Sequence, residues 1–122
     1  MKIVLTAKGK EASSPIDERF GRAEYFILYD DVLQTYSVID NPGQYENSGA
    51  GVKASQIVIE SGAEAVITGS LGPKAFMVLK DAGIKGYQNF FGTLEDNVAA
   101  YKENKLKELL TPGEEVKSRG RL

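Results

Sequence analysis

The hydrophobic pattern changes character part-way along the chain, and this change constrains the fold more than any other feature. The first apolar runs are short and built from branched and aromatic residues: Ile3-Val4-Leu5-Thr6-Ala7, Tyr25-Phe26-Ile27-Leu28-Tyr29 and Thr35-Tyr36-Ser37-Val38-Ile39. Residues of these types fit a pleated, packed surface, so each run predicts a strand. Asp30-Asp31 begins a turn, and the short gap makes the second and third runs an antiparallel hairpin.

After a glycine-rich stretch, helical spacing takes over. Ala54, Ile57, Val58 and Ser61 fall on one side and Lys53, Gln56 and Glu60 on the other, an amphipathic helix closed by Gly62. Ala65-Val66-Ile67-Thr68 reads as a buried fourth strand. Gly72-Pro73 opens a second helix, proline being suited to the first helical position, with Ala75, Phe76, Leu79 and Ala82 inward and Gly83 at its end. Ile84-Lys85-Gly86-Tyr87 is a short fifth strand. Thr93-Leu94-Glu95-Asp96 has capping-box spacing and starts a third helix through Val98 and Tyr101, which Asn104 to Leu109 extends or follows with a final turn. The expectation is an α/β fold of order β-β-β-α-β-α-β-α: a five-stranded mixed sheet, second strand antiparallel, with three helices. Residues 1–110 form a single domain in this reading, and 111–122 a polar, frayed tail.

That order has a geometric consequence. If strand two runs against strands one and three, then one and three are parallel, and right-handed crossovers align four and five with them. The loops leaving strands one, three, four and five then emerge at one sheet edge, where open α/β sheets bind ligands. The first loop, Lys8 to Glu24, is unusually long for a connection without secondary structure. The others hold Asn41-Pro42-Gly43 with Ser48-Gly49-Ala50-Gly51, then Gly69-Ser70-Leu71-Gly72, then Gln88-Asn89-Phe90-Phe91-Gly92.

Glycine lets backbone approach a ligand closely, and the starts of the first two helices offer unpaired N–H groups at the positive end of a dipole. Arg19, Arg22 and Lys53 add fixed positive charge, so the implied ligand is anionic. A structural reading stands beside this one. Each glycine also serves as a turn residue, Asp17 with Arg19 or Arg22 also makes a loop-ordering salt bridge, and Phe20 and Phe90-Phe91 also serve as core plugs. Gly49-x-Gly51 lacks both the Lys-Ser/Thr ending of a P-loop and the third glycine of a dinucleotide fingerprint.

Cysteine and histidine are both absent. Disulfides, Cys/His zinc sites and Ser-His or Cys-His nucleophile pairs are therefore excluded. The formal net charge of −2 gives no general attraction to nucleic acid or acidic membrane, and no apolar run approaches bilayer length. The opening Met1 to Thr6 turns polar too soon for a signal peptide, which leaves a cytoplasmic protein as the expectation.

Ser14-Pro15-Ile16-Asp17-Glu18-Arg19-Phe20-Gly21-Arg22-Ala23, followed by Tyr25-Phe26, resembles the opening motif of the dinitrogenase iron–molybdenum cofactor biosynthesis family. Asn41-Pro42, Gly49-Ala50-Gly51, Val66-Ile67-Thr68-Gly69, Gly72-Pro73-Lys74-Ala75-Phe76 and Gly92-Thr93 recur there in the same order. The resemblance implies a ribonuclease-H-like α/β motif and a non-catalytic carrier or scaffold for anionic iron–sulfur or iron–molybdenum clusters. It also implies a cluster-donor or acceptor protein as partner. Cluster-holding members are expected to use His or Cys, which this chain lacks, so a cluster here would be held by outer-sphere contacts. The corresponding binding set is Arg19, Phe20, Gly21, Arg22, Gly49, Gly51, Lys53, Gly69, Gly72 and Gly92, with no catalytic residue and no metal ligand. A module for another small anionic metabolite and a protein-interaction subunit are the alternatives. A nuclease is disfavoured because Ile3 to Ala7 carries no carboxylate for metal ions.

Overall fold

The computed structural model describes residues 1–46 and 48–113; Asn47 and the expected tail from Glu114 to Leu122 lie outside the described residues. Among the described residues six strands form one mixed sheet: β1 (Lys2–Ala7), β2 (Tyr25–Asp30), β3 (Thr35–Asp40), β4 (Ala65–Thr68), β5 (Lys85–Gln88) and β6 (Lys107–Glu108). Their spatial order is β3-β2-β1-β4-β5-β6. β2 is antiparallel to both β1 and β3, while β1, β4 and β5 run parallel. The described residues also form three α-helices: α1 (Ala50–Glu60), α2 (Pro73–Asp81) and α3 (Leu94–Lys102). A 3-10 turn, Pro42–Tyr45, lies between β3 and α1.

Side chains alternate across a strand, and the two faces of β1 feed two separate cores. Val4 packs with Phe20, Phe26, Val66 and the inner faces of α1 and α2, through Ala54, Val58, Ala75 and Leu79. Ile3 and Leu5 face the other way, packing with Ile27, Ile67 and the Leu94 and Val98 of α3. A sheet covered on both faces reads as unbroken apolar runs, which explains the wholly buried β4.

Two expectations are corrected. The sheet has six strands rather than five, because the segment after α3 neither extends the helix nor adds a turn to it. Asn104 adopts a left-handed φ of 59° and ends the helical path. The chain reverses, Lys107 and Glu108 pair antiparallel with Gln88 and Tyr87, and Leu109 donates its N–H to Gly86 O at 2.8 Å. Burial of Leu109 under the α1/α2 face stabilises this return. Ala82 is not on the inner face of α2; it is the exposed C-cap, its N–H directed to the carbonyls of the last turn.

The long first loop is tied down rather than loose. Asp17 N–H donates to Thr6 O at 2.9 Å, the Thr6 hydroxyl donates to the Asp17 carbonyl, and the Thr6 and Thr68 hydroxyl oxygens are 2.9 Å apart. The loop is thus stitched to the carboxyl end of β1, which is itself tied to that of β4.

Candidate functional site

The three helices begin in different ways. Thr93 caps α3 in a reciprocal capping box with Asp96, and Leu94 and Glu95 donate their N–H groups to Ser14 O and Ala12 O in the first loop. The donors at the start of α3 are therefore spent. α1 starts at Gly49, held at a left-handed φ of 77°, and α2 at Gly72; among the described residues neither has a side-chain cap. The first-turn N–H groups of a helix have no intrahelical acceptor, so α1 and α2 present donors that α3 does not. The first turns also differ in charge. α3 carries Glu95 and Asp96 there, as the helix dipole favours, whereas α1 and α2 carry no acid. α2 has Lys74 instead, a cation placed against its own dipole.

Close backbone contacts bring these two starts together with the first loop. A Cβ on Gly21 would lie 2.8 Å from Gly51 N, so the loop passes directly against the first turn of α1. A Cβ on Gly69 would lie 2.5 Å from Glu18 O, which seats the loop on the end of β4. Arg19 and Ser70 form a parallel bridge beside that contact. Asn41 Nδ2 donates to Gly21 O at 3.1 Å and Ala23 O at 2.9 Å, tying the loop to the end of β3. The result is an open depression of about 740 Å³ between Glu18–Arg22, Gly49–Val52, Gly69–Ser70 and the start of α2.

Its charges are in unequal states. Arg22 donates from Nη1 to Gln44 O at 2.8 Å, and among the described residues neither Arg22 nor Lys74 is in an ion pair with a carboxylate. Arg19 is held by Asp17: Nε to Oδ1 at 2.9 Å and Nη2 to Oδ2 at 2.7 Å, with the Asp17 side chain only 1% exposed. Burial pushes the Asp17 carboxyl up. The Arg19 side-chain and backbone hydrogen bonds, the Arg19 charge and the Glu24 N–H together outweigh burial and hold it below the ordinary carboxylate value.

The sequence pattern of the family described as dinitrogenase iron-molybdenum cofactor matches residues 1–104. The chain belongs to that family. It is similar to the orange protein of Desulfovibrio gigas in its apo form, at 34% identity and TM-score 0.87, covering 93% of this chain and 96% of that one. It is also similar to a provisionally assigned NifB protein from Thermotoga, at 36% identity and TM-score 0.80, covering 94% and 98%. An uncharacterised protein of Methanocaldococcus jannaschii is 26% identical over 115 residues, 88% of this chain and 98% of the relative.

Within this family member, Arg19, Phe20, Gly21, Arg22, Gly49, Gly51, Gly69 and Gly72 all line the one depression. Phe20 lines it while remaining 5% exposed, its ring 6.0 Å from that of Phe26 in the core. Lys53 is outside the lining, its Nζ paired with Glu46 Oε1 at 2.7 Å. Gly92 lies in a neighbouring depression with Asn89, Phe91 and Lys8, which meets the first at Glu18 and Arg19. Sequence reasoning passed over Lys74, although a lysine directly after Gly72-Pro73 was a readable signal of an unbalanced positive helix start. Among the described residues no three His, Cys, Asp or Glu side chains cluster to hold a metal ion, and no helix is long and apolar enough to cross a membrane.

Proposed function

We propose that this family member is a non-catalytic, cytoplasmic carrier or accessory protein that holds an anionic iron–sulfur or iron–molybdenum cluster as cargo between a donor and an acceptor protein. The observation that supports this most directly is the pair of helix starts, at Gly49 and Gly72, that lack side-chain caps and open on the same depression as Arg22 and Lys74. Backbone N–H groups, a guanidinium and an ammonium suit sulfide and thiolate surfaces of an anionic cluster without any bond to metal. The chain has no Cys or His, so thiolate and imidazole ligation would have to come from outside it. Outer-sphere hold is weaker than ligation and is readily reversed, which suits a protein that must release its cargo.

The test is an anaerobic titration with a synthetic cubane iron–sulfur dianion at low salt, followed by visible absorbance retained after desalting. One equivalent is expected to stay with the protein. Added salt should weaken the hold, because the Debye length shrinks to about 3 Å at 1 M salt, and Arg22→Ala and Lys74→Ala should each weaken it by deleting a lining cation. No retention at low salt would overturn the reading. Inorganic phosphate and molybdate serve as comparators, since exposed helix N–H groups also suit oxyanions. Thermal stabilisation by phosphate with no response to the cluster would transfer the site to a small-metabolite module.

A further inference from the structure

Asp17 poses an electrostatic contradiction at this site. It lines the neighbouring depression and places a full negative charge beside the anion-binding one, so by charge alone it should weaken any anion held there. Its carboxylate is nevertheless among the most thoroughly organised groups in the molecule. It accepts from Arg19 N–H at 3.1 Å, Arg19 Nε at 2.9 Å, Arg19 Nη2 at 2.7 Å and Glu24 N–H at 3.3 Å. Its own backbone N–H is bonded to Thr6 at the end of β1.

The geometry of a guanidinium resolves this. Arginine has five N–H donors in a planar fork with two usable edges. Asp17 occupies the edge formed by Nε and Nη2. Among the described residues the remaining edge, Nη1 with the second proton of Nη2, has no acceptor, and the Arg19 side chain is 59% exposed where the two depressions meet. A free arginine on an exposed loop would lose rotamer entropy on gripping a ligand, whereas one clamped to a buried carboxylate has already lost it.

We infer that Asp17 is a positioning residue that holds Arg19 as a rigid, outward-facing two-proton fork for the anionic ligand, at the expense of part of the site's positive charge. The inference rests on the anion-binding reading above and adds to it a requirement for fixed geometry. It predicts a ligand with two adjacent acceptor atoms on one face, as two sulfides of a cluster or two oxygens of an oxyanion provide.

The two views predict opposite signs, and this makes the test decisive. Asp17→Asn removes a negative charge, so a site that works by net charge binds the cubane dianion more tightly. A site that needs the fixed fork binds it about tenfold more weakly, the size expected for one lost charge-assisted bidentate contact. Arg19→Lys keeps the charge at an exposed position and removes the fork, and the same weakening of about tenfold is expected. The double variant should bind no more weakly than either single one, since both remove the same interaction. In ligand-free wild type, the Arg19 Nε proton should give a slowly exchanging nuclear magnetic resonance signal that disappears in Asp17→Asn. Tighter binding by Asp17→Asn, or wild-type affinity in Arg19→Lys, overturns the inference and leaves the carrier reading intact. If Asp17→Asn does not fold, Arg19→Lys decides alone. Absence of anion binding by the wild-type protein overturns the carrier reading and this inference together.

Discussion

Gly69→Ala should separate close backbone packing from ordinary turn chemistry at the site. A methyl group there would sit 2.5 Å from Glu18 O, 2.6 Å from Glu18 Cβ and 3.0 Å from Glu18 Cα. Comfortable contacts of this kind are about 3.5 Å, so Glu18 must retreat by about 1 Å from the end of β4. The obstructing atoms are mostly backbone in a loop stitched to Thr6, so a change of side-chain rotamer cannot relieve the clash. Overpacking of this severity costs about 2 kcal/mol, which for a chain of this size lowers the melting temperature by about 8 °C. The same retreat displaces Arg19 from its bridge with Ser70, so cluster retention should fall with stability. Gly72→Ala is the internal control. Gly72 lines the same depression at an extended φ of −66°, and a methyl group added there would meet nothing within 4 Å. Its poorer cap and its smaller unfolded-state entropy oppose each other, so stability should change by no more than about 0.5 kcal/mol. Calorimetry of both variants checks the pair. A Gly69→Ala protein melting within about 2 °C of wild type, or a Gly72→Ala protein melting as low as Gly69→Ala, refutes the packing account.

Three further outcomes follow from the interactions described. A carboxyl whose folded pKa is depressed stabilises the fold above its unfolded value, about 4, and loses that contribution as pH falls through the folded value. Denaturant stability measured across the acid range should therefore fall below pH of about 4 in wild type and more shallowly in Asp17→Asn. Tyr101 behaves in the opposite sense: burial, then its hydrogen bond to Glu64, push its phenol from 10.0 up to about 12. The fold favours the neutral phenol, so this stabilisation is complete below pH 10.0 and is lost as pH rises towards about 12. Tyr29 and Tyr36 are also pushed up, so an ultraviolet titration should show late phenolate ionisation whose amplitude Tyr101→Phe lowers by one tyrosine. Thr93→Ala breaks the capping box of α3 and should cost about 1 kcal/mol in chemical denaturation, with anion retention unchanged because that helix start lies outside the depression.

Much of this architecture is legible locally. Branched runs at Ile3 and Tyr25, helical spacing after Gly49, and Thr93 three residues before Asp96 each specify an element from neighbours within a few positions. Given those elements, the crossover rule alone brings the loops after β1, β3 and β4 to one edge, where they now line a common depression. The missing cysteine and histidine set the available donor chemistry before any coordinates are considered. β6 escaped because a strand of two residues has no period to detect and exists only through its bonds to β5.

The sequence by itself determined the strand and helix menu, the common edge of the loops, and a site limited to oxygen, amide and cationic groups. Only the tertiary structure decided which helix starts stay open. Carbonyls of Ala12 and Ser14 occupy that of α3, while those of α1 and α2 face the depression. It also decided which cations stay unpaired, turning Lys53 to Glu46 and Arg19 to Asp17 while leaving Lys74 on the lining. The physical reason is range: propensity and periodicity act over a few residues, whereas each of these outcomes depends on which distant backbone group or charge comes within hydrogen-bond reach.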